Sequence, residues 1–155
     1  MTKRVNFKQI SVHEGPEESP GYLLWRVSTQ WRSAIETVLK PLNLTHPQFV
    51  VLATTGWLTR NDGMVSQVEI GKISGLDPNT TSQILRGLQA KKLIKRQQTV
   101  DARSKQPVLT TLGRERLSEA MPAVERTDAQ FFERLELAEV GGFIKNLQKL
   151  MGMSS

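Results

Sequence analysis

The stretch that decides the fold covers residues 66–92 and reads SQVEIGKISGLDPNTTSQILRGLQAKK. Ser66, followed three positions later by Glu69, has the form of a capping box, in which each side chain bonds the backbone N–H of the other residue. Glycine often ends a helix, so Gly75 predicts the end of a short helix that begins after Ser66. We expect two apolar residues of this helix to face inward, Ile70 and Ile73.

A second helix is predicted directly after the first. Asp77 is a preferred N-cap residue, and Pro78 suits the first helical position, where its missing N–H needs no partner. The inward side of this helix consists of Thr81, Ile84, Leu85 and Leu88. Two short helices joined by a tight turn around Gly75 and Leu76 form a helix-turn-helix.

The periodicity changes after Lys92. Two short runs of β type, at 93–98 and 106–110, enclose the polar stretch 99–105. This pattern predicts a hairpin with a long charged tip. Such a hairpin is called a wing when it follows a helix-turn-helix, and we place the wing at residues 94–110.

The outward side of the second helix, over residues 78–91, is polar near its N-terminal end. In the major groove of DNA, Asn and Gln can pair with adenine, Arg with guanine, and a Thr methyl can touch a thymine methyl. A polar helix face alone is usually just solvated, but its position in a helix-turn-helix before a basic wing favours DNA contact. The residues of this recognition face are Asn79, Thr80, Ser82, Gln83 and Arg86.

The tip of the wing carries charges of both signs. Arg103 and Lys105 can enter the minor groove or neutralise phosphates, and a narrow minor groove attracts Arg strongly. Asp101 cannot bind phosphate directly, so we expect it to orient Arg103 through a charge-assisted hydrogen bond. The alternative is a hairpin tip that is merely solvated.

Longer amphipathic helices precede this region. Residues 1–20 are rich in Gly, Pro and Glu toward their end and predict a flexible or loosely docked arm. A long helix is predicted from Tyr22, and Thr45 with Gln48 forms another capping box that begins the next helix. The apolar stripe of the long helix consists of Leu24, Val27, Trp31, Ala34, Ile35, Val38 and Leu42.

Two further helices are predicted after the wing. Thr110 or Thr111 caps the first of them, and its apolar residues recur at roughly helical spacing as far as Leu135. Gly141-Gly142 predicts an interruption before a last apolar stripe over 143–150. The predicted order along the chain is therefore helix, helix, helix-turn-helix, wing, long helix, short helix.

The positive charge is concentrated in one segment. The chain of 155 residues carries 21 Lys and Arg against 15 Asp and Glu, a formal charge of +6. Residues 60–116 contain eleven basic and five acidic side chains, so this segment alone equals the whole excess. Such a concentration favours a localised surface for an anionic partner, most often nucleic acid.

Composition excludes several classes of protein. The chain has no cysteine, so disulfides, thiolate metal sites and thiol sensing are excluded, and this fits a cytoplasmic location. Only His13 and His46 are present, so we predict no metal site, and we predict no cofactor. No apolar run is long enough to cross a membrane. We find no phosphate-binding loop, nucleophile elbow or metalloprotease motif, and therefore predict no catalytic residues and no enzyme.

The stretch from Ser66 to Gly113 resembles the winged helix-turn-helix of the MarR (multiple antibiotic resistance regulator) family. The most specific feature is an Asp-x-Arg wing tip followed by Leu-Thr-x-x-Gly at the start of the next helix. The strong match covers about a third of the chain. The matching motifs are Gln67-x-Glu69-Ile70, Leu76-Asp77-x-Asn79-Thr80-x-Ser82, Leu88-x-x-Lys91-x-Leu93-Ile94-x-Arg96 and Asp101-x-Arg103-Ser104-Lys105-x-x-x-Leu109-Thr110-x-x-Gly113.

The resemblance implies a mainly α fold with a small β-hairpin wing, in a homodimeric transcription regulator, commonly a repressor, that binds a palindromic operator. On this model residues 21–45 and 114–151 form a helical dimerisation domain from the N- and C-terminal helices, and 46–113 form the winged DNA-binding domain. The apolar stripes support dimerisation independently, because they exceed what a small winged domain needs. The resemblance also assigns the recognition face, Arg103 and Asp101 to operator binding.

Two questions stay open at this point. Many family members bind small aromatic or anionic effectors in a cleft, and the residues that could line one here are Trp25, Trp31, His46 and Phe49. The competing interpretation is that these side chains form the core or the dimer interface. The alternative function is a winged domain that binds protein or RNA without an operator, although residues 60–116 contain no aromatic side chain on which RNA bases could stack.

Overall fold

The structure is a computed structural model that describes residues 4–98 and 105–153. The predicted order of elements is confirmed, and the fold is mainly α with one two-stranded hairpin. In addition, 3-10 turns lie at Pro16–Glu18 and Lys40–Leu42. The helices and strands are α1 (Phe7–Ile10), α2 (Pro20–Leu39), α3 (His46–Leu58), α4 (Gln67–Ser74), α5 (Pro78–Ala90), β1 (Ile94–Gln98), β2 (Lys105–Leu109), α6 (Thr111–Phe132) and α7 (Leu137–Leu150).

The predicted starts of α3, α4 and α5 and the predicted end of α4 are confirmed. Capping boxes begin α3 at Thr45 and α4 at Ser66. The side chain of Asp77 accepts a hydrogen bond from the backbone N–H of Thr80 at 2.9 Å, which caps α5. Gly75 ends α4 with φ 68°, a left-handed conformation that glycine adopts at little cost. The helix-turn-helix is therefore specified by local interactions at each end of its two helices.

Helix α3 lies at the centre of the winged helix-turn-helix, where α4, α5, α6 and β2 pack against it. The hairpin is antiparallel, and Ile94 stands opposite Leu109 in its register. Both of these side chains are buried, so one face of the hairpin closes the core. The core residues contributed by the helices include Ile35, Leu39, Leu52, Ile70, Leu85 and Leu88.

The first turn of α6 packs tightly on the base of the hairpin. The hydroxyl of Thr110 donates to the carbonyl oxygen of Lys92 at 2.6 Å and accepts from the backbone N–H of Gly113 at 2.9 Å. A Cβ atom on Gly113 would overlap the carbonyl oxygen of Leu93. The Leu-Thr-x-x-Gly motif thus has a steric cause, because only glycine lets the helix approach this backbone.

Two sequence predictions about the helices are wrong. Ile73 does not face inward, since 65% of it is exposed, and only its partner Ile70 is buried. Gly141 and Gly142 do not interrupt a helix but lie inside α7. The break falls instead between Phe132 and Leu137, where the backbone N–H of Glu136 donates to the Glu139 carboxylate at 2.8 Å at the start of α7. The capping contact at the start of α7 offsets the unfavourable intrinsic propensity of glycine here.

The N-terminal boundary also differs from the prediction. Helix α2 begins at Pro20 rather than Tyr22, because the side chain of Ser19 accepts a hydrogen bond from the Tyr22 backbone N–H and Pro20 occupies the first turn. Residues 4–19 contain α1 and a 3-10 turn, and their side chains are almost all exposed. The division of the chain into an arm and two domains stays a prediction.

Candidate nucleic-acid interface

The predicted recognition face lies on the outer side of α5. Asn79, Gln83 and Arg86 are exposed, whereas Thr80 and Ser82 are half-buried. The opposite side of the helix packs into the core through Thr81, Leu85 and Leu88. The structure thus brings the five predicted residues together at the N-terminal part of one helix.

Asp77 orders the beginning of this face. Its carboxylate accepts hydrogen bonds from both the backbone N–H and the hydroxyl of Thr80, at 2.9 and 2.5 Å. These bonds, the hydroxyl first, lower the pKa of the Asp77 carboxyl below its ordinary 3.8, so it is ionised at neutral pH. Because the Thr80 proton is committed to Asp77, the Thr80 groups available to a partner are its methyl group and an oxygen lone pair.

The wing is tied to the first helix of the helix-turn-helix. Nη2 of Arg96, on β1, donates to Oε1 of Gln67 at 2.9 Å, and Gln67 is the first residue of α4. Lys105 begins β2 opposite Gln98. The predicted tip residues Asp101 and Arg103 lie outside the described residues. The Arg96 guanidinium on β1 is therefore held by the first residue of α4.

A lysine ties α5 to the connection between α2 and α3. Nζ of Lys91, at the C-cap of α5, donates to the backbone carbonyl of Asn43 and to Oε1 of Gln48, each at 2.7 Å. The same Gln48 oxygen accepts from the backbone N–H of Thr45 in the α3 capping box. A Cβ on Gly87 would lie 3.2 Å from Nε2 of Gln48, so the helix and this side chain are in close contact.

Two of the four residues proposed for an effector cleft, Trp31 and His46, are in direct contact. Trp31 and His46 make an edge-on aromatic contact with ring centroids 5.0 Å apart, and Phe49 is buried in the core. Nε1 of Trp31 donates to the Asp128 carboxylate at 2.7 Å, which joins α2 to α6. Trp25 is 68% exposed and is not part of this cluster.

His46 lies at the junction of the two halves of the chain. It lines a shallow cavity of about 350 Å³ together with residues from the end of α2, the following connection and Lys91. Burial lowers the pKa of the His46 imidazole below its ordinary 6.5, and the nearby Arg32 lowers it further, while Glu36 and Asp128 oppose this. His46 is therefore neutral at pH 7.

Sequence reasoning missed the contacts that connect the elements. The sequence pattern places Lys91 at the end of the recognition helix but does not reveal its hydrogen bond to Asn43. It also does not predict the side-chain contacts of Asp128 and Gln67. The partners in these hydrogen bonds are 29 to 97 residues apart in the chain. No periodicity or local motif signals a contact over such a separation.

The described part of the chain contains neither a metal-ligand cluster nor a membrane-spanning helix. No group of three or more His, Asp and Glu side chains there could hold a metal ion. None of the helices found over residues 4–98 and 105–153 is apolar and long enough to cross a bilayer.

A helix-turn-helix with an exposed polar face, followed by a wing and flanked by long helices, defines the class of winged helix-turn-helix proteins. The structure of Bordetella bronchiseptica BpsR, whose DNA binding is regulated by 6-hydroxynicotinic acid, is similar with a TM-score of 0.78 and 27% identity over 90% of this chain and 99% of that one. Mycobacterium tuberculosis Rv2887 in complex with DNA is similar with a TM-score of 0.64 and 28% identity, over 85% and 97% of the two chains.

The sequence comparisons identify the family. The MarR family profile matches residues 42–104. The chain is 32% identical over 142 residues to the HTH-type transcriptional regulator YdcH of Bacillus subtilis, covering 91% of this chain and 95% of YdcH. It is also 32% identical to the HTH-type transcriptional repressor Rv2887 over 84% of this chain and 91% of Rv2887. The chain belongs to the MarR family of transcriptional regulators.

Proposed function

We propose that this protein is a homodimeric transcription regulator that binds double-stranded DNA at a palindromic operator, with α5 in the major groove and the wing at the minor groove. The observation that carries this proposal is the recognition face of α5, polar and capped by Asp77 at the end that enters a groove. The relative Rv2887 has been seen in complex with DNA, which supports the same mode here. The protein acts by binding, in the cytoplasm, and not by catalysis.

A dimer is favoured by apolar side chains that the single chain leaves in water. Leu24 and Trp25 on α2 are 56% and 68% exposed, and Leu137 and Leu150 on α7 are 93% and 79% exposed. Such residues at the two ends of the chain suit a self-complementary interface between copies. Two copies would present two α5 helices to half-sites about one helical turn, ~34 Å, apart.

We propose repression as the direction of regulation, and release by a small aromatic or anionic effector. Repression is supported by the relative Rv2887, which is a transcriptional repressor. An effector is supported by the Rv2887 complex with salicylic acid and by the regulation of BpsR by 6-hydroxynicotinic acid. An effector would act only through a difference in its affinity for the DNA-bound and free states.

The experiment that tests the proposal is selection of bound sequences from random duplex DNA by the full chain. We expect an enriched palindrome whose half-sites are separated by about one helical turn. Enrichment of single-stranded RNA in a parallel selection, with no duplex motif, would support the alternative of an RNA-binding winged domain and contradict the proposal.

A further inference from the structure

We propose that the outer side of the winged module docks a short acidic, amphipathic segment of another protein. The docking surface, called the wing-base groove, lies between the C-terminal end of α3, the loop that follows it, the outer face of the hairpin and the first turn of α6. Its volume is about 1110 Å³, which gives room for several side chains of a partner. Peptide segments commonly bind in this way, with a few anchor side chains inserted into a groove.

An exposed tryptophan stands at the edge of the groove. Trp57, near the C-terminal end of α3, is 63% exposed. The guanidinium of Arg60, which lines the groove, lies 3.7 Å from the centroid of the Trp57 ring and also donates to the Trp57 backbone carbonyl. Trp and Arg are enriched among the side chains that dominate the energy of protein interfaces. An ordered pair of them on the surface therefore favours a protein as the occupant.

Apolar side chains also line the groove itself. Met64 and Leu112 are 55% and 42% exposed, and Val108 is a further lining residue. Val108 stands opposite Lys95 in the hairpin register, so an apolar side chain and a cation are neighbours on this surface. A DNA phosphate would leave the apolar surface in water, whereas the apolar side chains of a protein segment would cover it.

The charge of the groove is complementary to an acidic partner. Its lining includes one carboxylate, that of Asp62, against four cations. Among the described residues Arg32 and Glu36 form the single ion pair, so none of these cations is paired with a described carboxylate. Charges of opposite sign on a partner would speed its association and fix its register. The cations are Arg60, Lys92, Lys95 and Arg114.

One of the cations is already oriented. The guanidinium of Arg114 donates to the backbone carbonyl of Leu109 and to the hydroxyl of Thr111, each at 3.2 Å. Arg114 lies near the start of α6, a helix of 22 residues whose positive dipole end adds to the attraction for a carboxylate. A preorganised donor binds with a smaller loss of side-chain entropy than a mobile one.

The wing-base groove is separate from the recognition face. None of its lining residues belongs to α5, so a docked segment leaves the side chains of the recognition face uncovered. The docking proposal does not rest on operator binding, and the two proposals can therefore fail separately.

The test begins with a selection of peptides by the intact protein from a phage-displayed random library, each peptide about 12 residues or roughly three helical turns long. We expect the enriched peptides to be negatively charged and to combine Asp or Glu with aromatic or aliphatic residues. Titration of the protein with the most enriched peptide should give saturable amide chemical shifts at three residues of the lining, Gly56, Gly63 and Leu112. Added salt should weaken the binding, because it screens exposed charges.

Variants of the groove should lower the affinity for this peptide. Trp57→Ala should weaken it about tenfold or more, as expected for an interface anchor. Lys95→Gln and Arg114→Gln should each weaken it roughly three- to tenfold, through loss of one charged hydrogen-bond donor. Trp57 and Lys95 are exposed, so their variants keep the test valid if Arg114→Gln perturbs α6.

Matched controls remove a charge or an apolar side chain elsewhere on the winged module. Lys72→Gln and Ile73→Ala change exposed positions on α4 that do not line the groove, and both should leave the affinity unchanged. Enrichment of basic or uncharged peptides, shifts confined to other surfaces, or equal affinity in wild type and the groove variants would overturn the proposal.

Two other occupants of the groove have distinct outcomes. If Lys95→Gln and Arg114→Gln lowered operator affinity while Trp57→Ala changed neither operator nor peptide binding, the groove would be a phosphate contact and the proposal would be wrong. It would also be wrong if Trp57→Ala kept the peptide affinity but abolished a concentration-dependent rise in the mass of the protein, since the occupant would then be a second copy.

Discussion

Gly113 shows how one residue positions a whole helix. Its backbone N–H is capped by Thr110, and its missing side chain allows the base of the hairpin to reach the first turn of α6. The glycine at the end of the Leu-Thr-x-x-Gly motif therefore couples the wing to the long C-terminal helix. A side chain there has no space to enter, because the neighbouring atoms are backbone.

The substitution Gly113→Ala should destabilise the protein by at least about 2 kcal/mol, because overpacking against a fixed backbone forces the elements apart. Gly141→Ala is the matched control. A Cβ at Gly141 meets nothing within 4 Å, and it lies inside α7, so the same substitution should stabilise by about 1 kcal/mol. Chemical denaturation measures both, and equal effects would contradict the steric role of Gly113.

The recognition face makes a prediction about sequence preference. Gln83→Ala and Arg86→Ala should each cost about 1–3 kcal/mol on the selected operator and relax preference at one base position. Arg103→Ala, in the predicted wing tip, should weaken binding more evenly across sequences. Arg126→Ala on α6 is a control with the same charge change at an exposed position. Binding isotherms on the operator and its single-base variants measure the effects, and wild-type behaviour of all three would refute the assigned contacts.

His46 predicts a pH dependence of stability. Because burial lowers its pKa below 6.5, the unfolded chain takes up the proton first as the pH falls. The free energy of unfolding should therefore decrease as the pH drops below 6.5 and level off once the folded protein is also protonated. Glu69 and Asp77 have lowered pKa values too, but their stabilisation is lost only below about pH 4.5 and 3.8.

The measurement is urea denaturation from pH 7.5 to 5. His46→Gln should remove the decrease in stability between pH 6.5 and 5, whereas His13→Gln, in the exposed N-terminal segment, should keep it. An unchanged pH profile in His46→Gln would show that another group titrates in this range.

At the scale of elements, the position of α5 depends on both of its ends. Asp77 caps the N-terminal end locally, while Lys91 ties the C-terminal end to Asn43 and Gln48. Trp31 and Asp128 join α2 to α6, and Arg116 of α6 donates to the backbone carbonyl of Leu42. Lys91 of α5 and Arg116 of α6 thus both donate to backbone carbonyls of the connection between α2 and α3, so this connection links the two helices.

The substitution Lys91→Met should reduce stability by about 1 kcal/mol, since it removes two hydrogen bonds while keeping the apolar stem. It should also weaken operator binding by misplacing α5. Lys92→Met is the control, because this neighbouring lysine is exposed and has the same charge. The salt dependence of binding separates the two possible causes: a lost phosphate contact reduces the slope by about one, whereas misplacement leaves it unchanged.

At the scale of the whole molecule, the proposed function assigns one face of the chain to DNA and another to a second copy. The excess of positive charge lies in residues 60–116, while residues 117–155 carry a net charge of −2. The apolar residues left exposed on α2 and α7 lie outside this segment, toward the two ends of the chain. The excess of positive charge is therefore confined to the winged module, whereas exposed apolar side chains occur both there and on the terminal helices.

The dimer predicts that Leu137→Glu combined with Ile144→Glu, at positions one heptad apart on α7, shifts the protein toward a monomer. Both side chains are exposed in the single chain, 93% and 49%, so the variant should still fold. Asn146→Glu adds one negative charge at a neighbouring exposed position and should stay dimeric. Light scattering after size exclusion at micromolar concentration measures the mass, and a monomeric wild type would refute the dimer.

Much of the fold could be predicted because its signals are local. The caps at Thr45, Ser66 and Asp77 involve residues three positions apart, and the stripe on α5 repeats within one helix. Ile73 and the Gly141-Gly142 pair were predicted wrongly for a complementary reason. A short helix can carry apolar residues on more than one face, so spacing alone did not show which face of α4 is buried. Glycine weakens a helix by only about 1 kcal/mol, an amount that a favourable cap can offset.

The amino-acid order was enough to specify the helix-turn-helix, its polar face and the charge of the winged module, since these depend on spacing along the chain. Only the tertiary structure could show which residues hold the modules together. Lys91 meets Asn43, Trp31 meets Asp128, and Arg96 meets Gln67. The reason is physical: these contacts join residues that packing brings together, and no local pattern encodes the packing of one helix on another.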